Sequence, residues 1–135
     1  MVVYTIAGEV LLLRRSRPDD FWQSVTGSLR WGESPLQAAR RELYEETGIM
    51  AGSALRDLHR SETFPITHPW RVRYAPNAHS NREYWFALSL KGRRLIHLNR
   101  DEHSEYRWMG MAQGSELASS WTNRKAIRWL RSGAC

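Results

Sequence analysis

The chain has 135 residues, which is enough for one domain with one hydrophobic core and too few for two. Hydrophobic residues make up 41% of it and the formal net charge is +6, yet no stretch approaches the ~18 apolar residues that a membrane span requires. Cys135 is the only cysteine, which excludes an internal disulfide, and the first residues lack the pattern of a signal peptide. We therefore expect a single domain over residues 1–135, with no membrane association and a cytoplasmic location.

The positive charge comes almost entirely from arginine, because Lys91 and Lys125 are the only lysines among the 20 basic residues. A positive surface attracts polyanions, and the guanidinium group forms forked hydrogen bonds to phosphate. The arginines are scattered rather than clustered, which disfavours nucleic acid as the partner. A bias in genomic base composition explains the arginine content equally well.

Apolar runs and turn residues divide the chain into interleaved strands and helices. Val2–Ile6 and Glu9–Arg15 are apolar enough to be buried strands, with Gly8 in the turn between them. We predict further strands at Phe21–Thr26, Ala54–Phe64, Glu83–Leu90 and Glu105–Met109, a loop at Pro65–Asn81, and helices at Ser34–Gly48 and Thr122–Arg131. This order predicts an α/β or α+β fold in which helices pack on a mixed sheet.

The predicted helix at Ser34–Gly48 has a recognisable signal at each end. Ser34 is a good N-cap, Pro35 suits the first helical position, and Gln37 completes a capping box. Gly48 is a natural C-terminal stop. One apolar stripe, which should face the core, consists of Leu36, Ala39, Leu43 and Thr47.

Three glutamates, Glu42, Glu45 and Glu46, lie beside that stripe within an arc of about 100°. Two pairs of them are like-charged neighbours, and each pair costs an isolated helix a few tenths of a kcal/mol. Arg41 can offset one charge, because it lies four residues before Glu45. The remaining charge indicates either a solvated acidic face or a bound cation, and clustered oxygen ligands suit Mg²⁺ or Mn²⁺.

The surroundings of these glutamates favour the cation. The segment from Gly27 to Ile49 resembles the Nudix box at every fixed position. It consists of Gly27, five residues, Glu33, seven residues and then the run from Arg41 to Ile49 (RELYEETGI). The resemblance places that box at residues 27–49 and implies the family's fold, an α/β/α sandwich with a mixed sheet between helices. It also implies a metal-dependent hydrolase that cleaves a diphosphate linkage, with Mg²⁺ as the cofactor and Mn²⁺ as a substitute.

Residue roles follow from the same resemblance, position by position. It implies that Glu42, Glu45 and Glu46 bind the metal together with the Gly27 carbonyl, and that Glu45 doubles as a base. Arg41 resembles the residue that orients a glutamate, and Glu33 resembles the one that pins the loop to the helix. Outside the box, Glu102 occupies a loop before a late strand, where many family members carry one more carboxylate. We assign Glu102 to metal binding or base function, with Glu105 as the alternative.

Short runs outside the box bear on the substrate. Five of them together resemble the Nudix branch that hydrolyses dihydroneopterin triphosphate. They are FWQSVTGS, RYAPN, EYWFAL, EHSEYRW and SWTNRKAI. That resemblance implies a small-molecule triphosphate substrate, release of pyrophosphate, formation of dihydroneopterin monophosphate, and a place in folate biosynthesis. The alternatives are an enzyme that cleanses the nucleotide pool of (d)NTPs and a non-catalytic ligand- or RNA-binding Nudix module. The oligomeric state is not indicated.

Candidate substrate contacts are more scattered than the box. Arginines offer phosphate contacts, and residues flanking the glycine loop, the predicted long loop and the last helix offer contacts to the ring. The set is Arg15, Thr26, Phe64, Ile66, Thr67, Arg71, Arg73 and Ser120. Capping of the last helix is an equally good role for Ser120. Trp22 and Trp70 are candidates for ring stacking, whereas we place Trp85 and Trp108 in the core and assign no role to the histidines.

Overall fold

A six-stranded mixed sheet with three α-helices forms the fold of the computed structural model, which describes residues 1–65 and 80–133. The strands are β1 (Val2–Thr5), β2 (Glu9–Arg15), β3 (Trp22–Gln23), β4 (Arg56–Pro65), β5 (Ser80–Leu90) and β6 (His103–Gly110). The helices are α1 (Pro35–Thr47), α2 (Met111–Leu117) and α3 (Trp121–Arg131), with a short 3-10 turn at Gly52–Ala54. In the described ranges, no helix is long and apolar enough to cross a membrane.

Strand β2 is the centre of the sheet. It pairs with β6 in antiparallel fashion along its whole length, and its two ends pair with β1 and β3. Strand β1 then pairs with β5 in parallel, and β5 pairs with β4 in antiparallel fashion. The predicted mixed sheet is therefore confirmed.

The sheet separates two hydrophobic cores, which explains the unbroken apolar run from Val10 to Leu13. Successive side chains of a strand point to opposite faces. Leu11 and Leu13 pack with the core on the α1 face, and Val10 and Leu12 pack with the core on the face of α2 and α3. All four residues are buried because helices cover both faces. The predicted α/β/α sandwich is confirmed.

Helix α1 begins and ends as its sequence predicts. The Ser34 hydroxyl accepts from the Gln37 backbone N–H (3.1 Å), and the Gln37 side chain accepts from the Ser34 N–H (2.9 Å), which completes the capping box. Gly48 adopts a left-handed conformation at the C-terminus. Ala39, Leu43 and Thr47 are buried, so the predicted stripe does face the core.

Helix α2 is the element that the sequence did not predict. Its seven residues (MAQGSEL) include Gly114, a residue that weakens helices because of its conformational freedom. The structure shows why a glycine lies there: an added Cβ would lie 2.3 Å from Cγ1 of the buried Val10. Gly114 therefore lets α2 pack directly against β2, and this tertiary contact offsets the weak local propensity.

Smaller differences concern boundaries and one tryptophan. Strand β4 extends to Pro65 and β5 begins at Ser80, so both ends of the predicted loop belong to strands. Trp85 is buried in the core, as predicted. Trp22 is also buried there, with the Arg107 guanidinium 4.8 Å from its ring centroid. Its predicted role in stacking on a substrate ring is wrong, because the ring is covered by protein.

Candidate active site

Arg41 holds the loop before α1 against the helix. Its Nε and Nη2 atoms donate to the two carboxylate oxygens of Glu33, both at 2.8 Å, and Nη2 also donates to the Ser28 carbonyl at 2.8 Å. Glu33 in turn accepts from the Arg30 backbone N–H at 2.7 Å. The hydrogen bonds from Arg41 and Arg30 lower the pKa of the Glu33 carboxyl to about 2. This geometry supports the loop-pinning role that the sequence suggested for Glu33.

The same guanidinium reaches two of the clustered glutamates. Arg41 Nη1 donates to Glu42 Oε1 at 2.6 Å and to Glu45 Oε2 at 3.2 Å. The other oxygen of Glu45 pairs with Arg30 at 3.2 Å. The hydrogen bond to Glu33 and, to a smaller extent, the one to Glu42 keep the pKa of Arg41 above its usual range. Arg41 is therefore cationic at every relevant pH. Arg41 thus orients Glu42 and Glu45 and reduces their mutual repulsion.

Gly27 lies against the Glu42 carboxylate. A Cβ at this position would lie 2.0 Å from Glu42 Cδ, so no residue with a side chain fits without displacing that carboxylate. The loop backbone and the α1 carboxylate are therefore in direct contact. Gly27 and Glu42 also line the same cavity.

Glu46 differs from its two neighbours because it is fully buried. Burial raises its pKa to about 10, and the carboxylates of Glu42 and Glu102 act in the same direction. Both Glu46 oxygens lack a hydrogen-bond partner among the described residues. A buried carboxyl with no partner is costly, and a cation is the partner that its ionised form requires.

Glu46, Glu102 and His103 form a group whose potential ligand atoms all lie within 4.8 Å of one another. His103 Nε2 lies 3.7 Å from Glu46 Oε1 and 3.2 Å from the Gln23 amide nitrogen. Burial, and then the charge of Arg15, lower the pKa of His103 to about 4, so its imidazole is neutral at pH 7. A neutral imidazole and two carboxylates are suitable metal ligands.

His103 was missed because the histidines show no ligand spacing along the chain. Its only signal in the sequence is its position directly after Glu102. A shift in register explains how the fold brings it into the site: Arg14 pairs with Glu105, but Arg15 pairs with His103, which leaves Ser104 as an extra residue on β6. The bulge turns His103 and Glu105 to opposite faces, although a regular strand would place them on the same face.

Glu105 is consequently directed away from the clustered carboxylates. Its Oε1 accepts from Arg14 Nη1 at 2.9 Å, and Arg14 follows Val10 and Leu12 on the face that α2 and α3 cover. His103 lies on the other face, where α1 carries Glu46. The geometry therefore favours Glu102 over Glu105 as the additional carboxylate.

A cavity of about 780 Å³ opens beside Glu42 and Gly27. Its walls come from the loop before α1, from α1, from β4 and β5, and from the start of α3. Three predicted substrate contacts, Thr26, Phe64 and Ser120, line it. Arg15 lies opposite His103 in the sheet and donates to the Arg17 carbonyl at 2.9 Å, so it is nearer to the carboxylate group than to this cavity. Four other predicted contacts lie outside the described residues, namely Ile66, Thr67, Arg71 and Arg73. The stacking candidate Trp70 also lies outside them.

Comparison with known proteins identifies the family. The family model for the NUDIX domain matches residues 1–130, and the chain belongs to the Nudix family of hydrolases. Members of this family use a divalent metal.

Two similar relatives share one name. The dihydroneopterin triphosphate diphosphatase of Escherichia coli is 43% identical over 121 residues, which cover 87% of this chain and 79% of the relative. The enzyme of that name from Haemophilus influenzae is 35% identical over 132 residues, which cover 95% and 82%. The solved structure of the E. coli dihydroneopterin triphosphate pyrophosphohydrolase superposes with a TM-score of 0.88 at 42% identity, covering 93% of this chain and 88% of that one.

The burial of Glu46 predicts a pH dependence of stability in the metal-free protein. Its pKa is about 10 in the folded chain, against 4.5 for a glutamate side chain exposed to water, so the unfolded chain ionises first as the pH rises. The free energy of unfolding should therefore fall with rising pH in this window, relative to Glu46→Gln, which is neutral throughout. Urea denaturation in EDTA from about pH 5 to pH 9 measures the difference. A difference that does not change with pH would contradict the prediction, and the exposed Glu116→Gln is the control.

Proposed function

We propose that this chain is a metal-dependent pyrophosphohydrolase that converts dihydroneopterin triphosphate to the monophosphate and pyrophosphate, a step of folate biosynthesis. The observation that carries the proposal is a buried, unpartnered carboxyl at Glu46 beside Glu42 and Glu102, next to a cavity of about 780 Å³. The choice of substrate rests on the two relatives that carry that name at 43% and 35% identity. We also propose that residues 1–135 form a single domain with the box at 27–49, and that the enzyme acts in the cytoplasm.

The proposed cofactor is Mg²⁺, with Mn²⁺ as a substitute. The residues that would hold it are Glu42, Glu45, Glu46, Glu102 and the Gly27 carbonyl, to which the structure adds His103 as a neighbouring candidate. Such a cation, when bound, neutralises phosphate oxygens and acidifies a coordinated water. Carboxylate and carbonyl oxygens are the donors that Mg²⁺ prefers.

The side chains of this site supply positioning and proton transfer. Arg41 holds Glu42 and Glu45 in place through hydrogen bonds of 2.6 and 3.2 Å. Glu45 is the more accessible of the two and is our first candidate to accept the proton of the attacking water, with Glu102 as the alternative. Arg15, Arg71 and Arg73 are proposed to bind phosphate oxygens, and Thr26, Phe64, Ile66, Thr67 and Ser120 to shape the ring pocket.

Activity should require a divalent cation. Excess EDTA should abolish pyrophosphate release, and Mg²⁺ or Mn²⁺ should restore it, because the glutamate cluster has no catalytic use without a cation. Glu45→Gln and Glu46→Gln should each lower kcat at least ~10²-fold. Glu116→Gln, an exposed carboxylate on α2, is the control that should keep the normal rate. Full turnover in EDTA would contradict the metal mechanism.

A pair of variants separates the two candidate carboxylates on and before β6. Glu102→Gln should lower kcat far more than it changes KM, because its contribution arises mainly in the transition state. Glu105→Gln should have little effect on kcat, since its carboxylate pairs with Arg14 on the other face of the sheet. Steady-state kinetics of both variants provide the test, and the reverse pattern would mean that Glu105 has the assigned role.

Substrate preference tests the proposed function itself. Dihydroneopterin triphosphate should have a higher kcat/KM than any standard dNTP, by roughly ten- to a few thousand-fold, because a pocket built to bond one ring edge leaves polar groups unpaired with another ring. The measurement is phosphate released with and without added inorganic pyrophosphatase, which distinguishes pyrophosphate from phosphate as the product. If dGTP or dATP matches the pterin substrate, a nucleotide-pool enzyme is the better description.

A further inference from the structure

The cavity beside the carboxylate cluster contains a second carboxylate that the proposed chemistry does not use. Glu83, on β5, lines the cavity together with Glu42, and it is half-buried. Glu42 pairs with Arg41 at 2.6 Å, whereas Glu83 has no ion pair within the described ranges. Glu83 is therefore a hydrogen-bond acceptor in a cavity large enough for a small ligand, beside the proposed site of phosphate cleavage.

Two hydroxyl groups hold Glu83 in a fixed orientation. The buried Thr122 hydroxyl donates to Glu83 Oε2 at 3.1 Å, and because its proton is used there, it accepts from Ser120 Oγ at 2.7 Å. Glu83 Oε1 has no hydrogen-bond partner in the part of the chain that the structure describes. The carboxylate is thus positioned through one oxygen, and no described residue occupies the hydrogen-bonding positions of the other.

The charges around Glu83 are of both signs. Glu83 lies directly opposite Glu62 in the β4–β5 ladder, and like charges facing each other across strands are destabilising. Lys125 pairs with Glu62 and so compensates that residue alone. Glu83 also lies near the buried N-terminal ammonium of Met1, which lines the same cavity and attracts its carboxylate.

The chemistry of a carboxylate defines which ring it can recognise. An ionised carboxylate only accepts hydrogen bonds, and its two oxygens match two parallel N–H donors. A 2-amino-4-oxo ring, present in pterins and in guanine, carries such a pair: the ring N–H and the adjacent amino group. Adenine and the pyrimidines of DNA lack it. Tyr84 and Trp121 also line the cavity and are partly exposed, so they offer flat surfaces beside the same ring.

We propose that Glu83 determines substrate specificity by accepting hydrogen bonds from the paired N–H donors of a 2-amino-4-oxo ring, with Thr122 and Ser120 as positioning residues. The proposal rests on the proposed function for the identity of the preferred triphosphate. It adds the contact that selects the ring. The phosphate end of the substrate would lie at Glu42 and Gly27, on the same cavity wall as α1.

The test compares ratios of kcat/KM for three substrates: dihydroneopterin triphosphate, dGTP and dATP. In Glu83→Gln, the ratios of pterin to dATP and of dGTP to dATP should both fall about 10- to 100-fold, because one donor of the ring would face an amide N–H instead of an acceptor. Glu62→Gln is the matched control, since it removes the facing carboxylate outside the cavity and should leave both ratios as in the wild type. Thermal unfolding should show that Glu83→Gln is folded with a Tm close to that of the wild type, since the repulsion from Glu62 and the attraction to the Met1 ammonium are lost together.

Positioning is tested at Thr122. Thr122→Val should lower the same two ratios, by less than Glu83→Gln does, and Thr122→Ser should restore them because it keeps the donating hydroxyl. An unchanged ratio in Glu83→Gln, or an equal loss for all three substrates, would overturn the assignment. If the wild type does not prefer the pterin substrate but Glu83→Gln still lowers the dGTP to dATP ratio, the proposed function fails while the role of Glu83 holds.

Discussion

Mutual repulsion among carboxylates on one helix is the constraint on which this site depends. Glu42 and Glu45 lie on the same side of α1, and they stay together because Arg41 bonds to both of them with one nitrogen and to Glu33 with two others. The same guanidinium also bonds to the Ser28 carbonyl. The same interaction therefore compensates the charges and fixes the loop, so the loop that carries Gly27 cannot move independently of Glu42 and Glu45.

The glutamates of α1 differ in burial. Glu45 is accessible and bonded to two arginines, whereas Glu46 is fully buried, with its pKa raised to about 10. Without a cation, Glu46 is neutral at pH 7 and has no partner among the described residues. Metal binding at such a group releases a proton, so affinity for the cation and ambient pH are linked. Protonation spares the fold the larger cost of burying an unpaired charge at Glu46.

The parts of the structure that the sequence predicted are those encoded locally. The capping box at Ser34, the terminating Gly48 and the apolar face of α1 depend on neighbouring residues, and all are confirmed. Helix α2 could not be predicted, because Gly114 is unfavourable in a helix and is explained only by its contact with Val10. The burial of Trp22, and the approach of His103 to Glu46, depend on strand register. Register is a property of chain pairing that no local window contains.

The extra residue Ser104 determines which side chains of β6 face the site. Because side chains of a strand alternate with a period of two, one bulged residue decides whether a given position of β6 shares a face with α1 or with α3. Deletion of the codon for Ser104 would move the side chains of the preceding β6 residues to the opposite face of the sheet. No other amino acid would change. An insertion or deletion, rather than a substitution, can therefore bring a side chain to the α1 face at this edge of the sheet or remove it from that face. Alignments of divergent members around Glu102 should consequently be judged by spacing to the following strand as much as by matching letters.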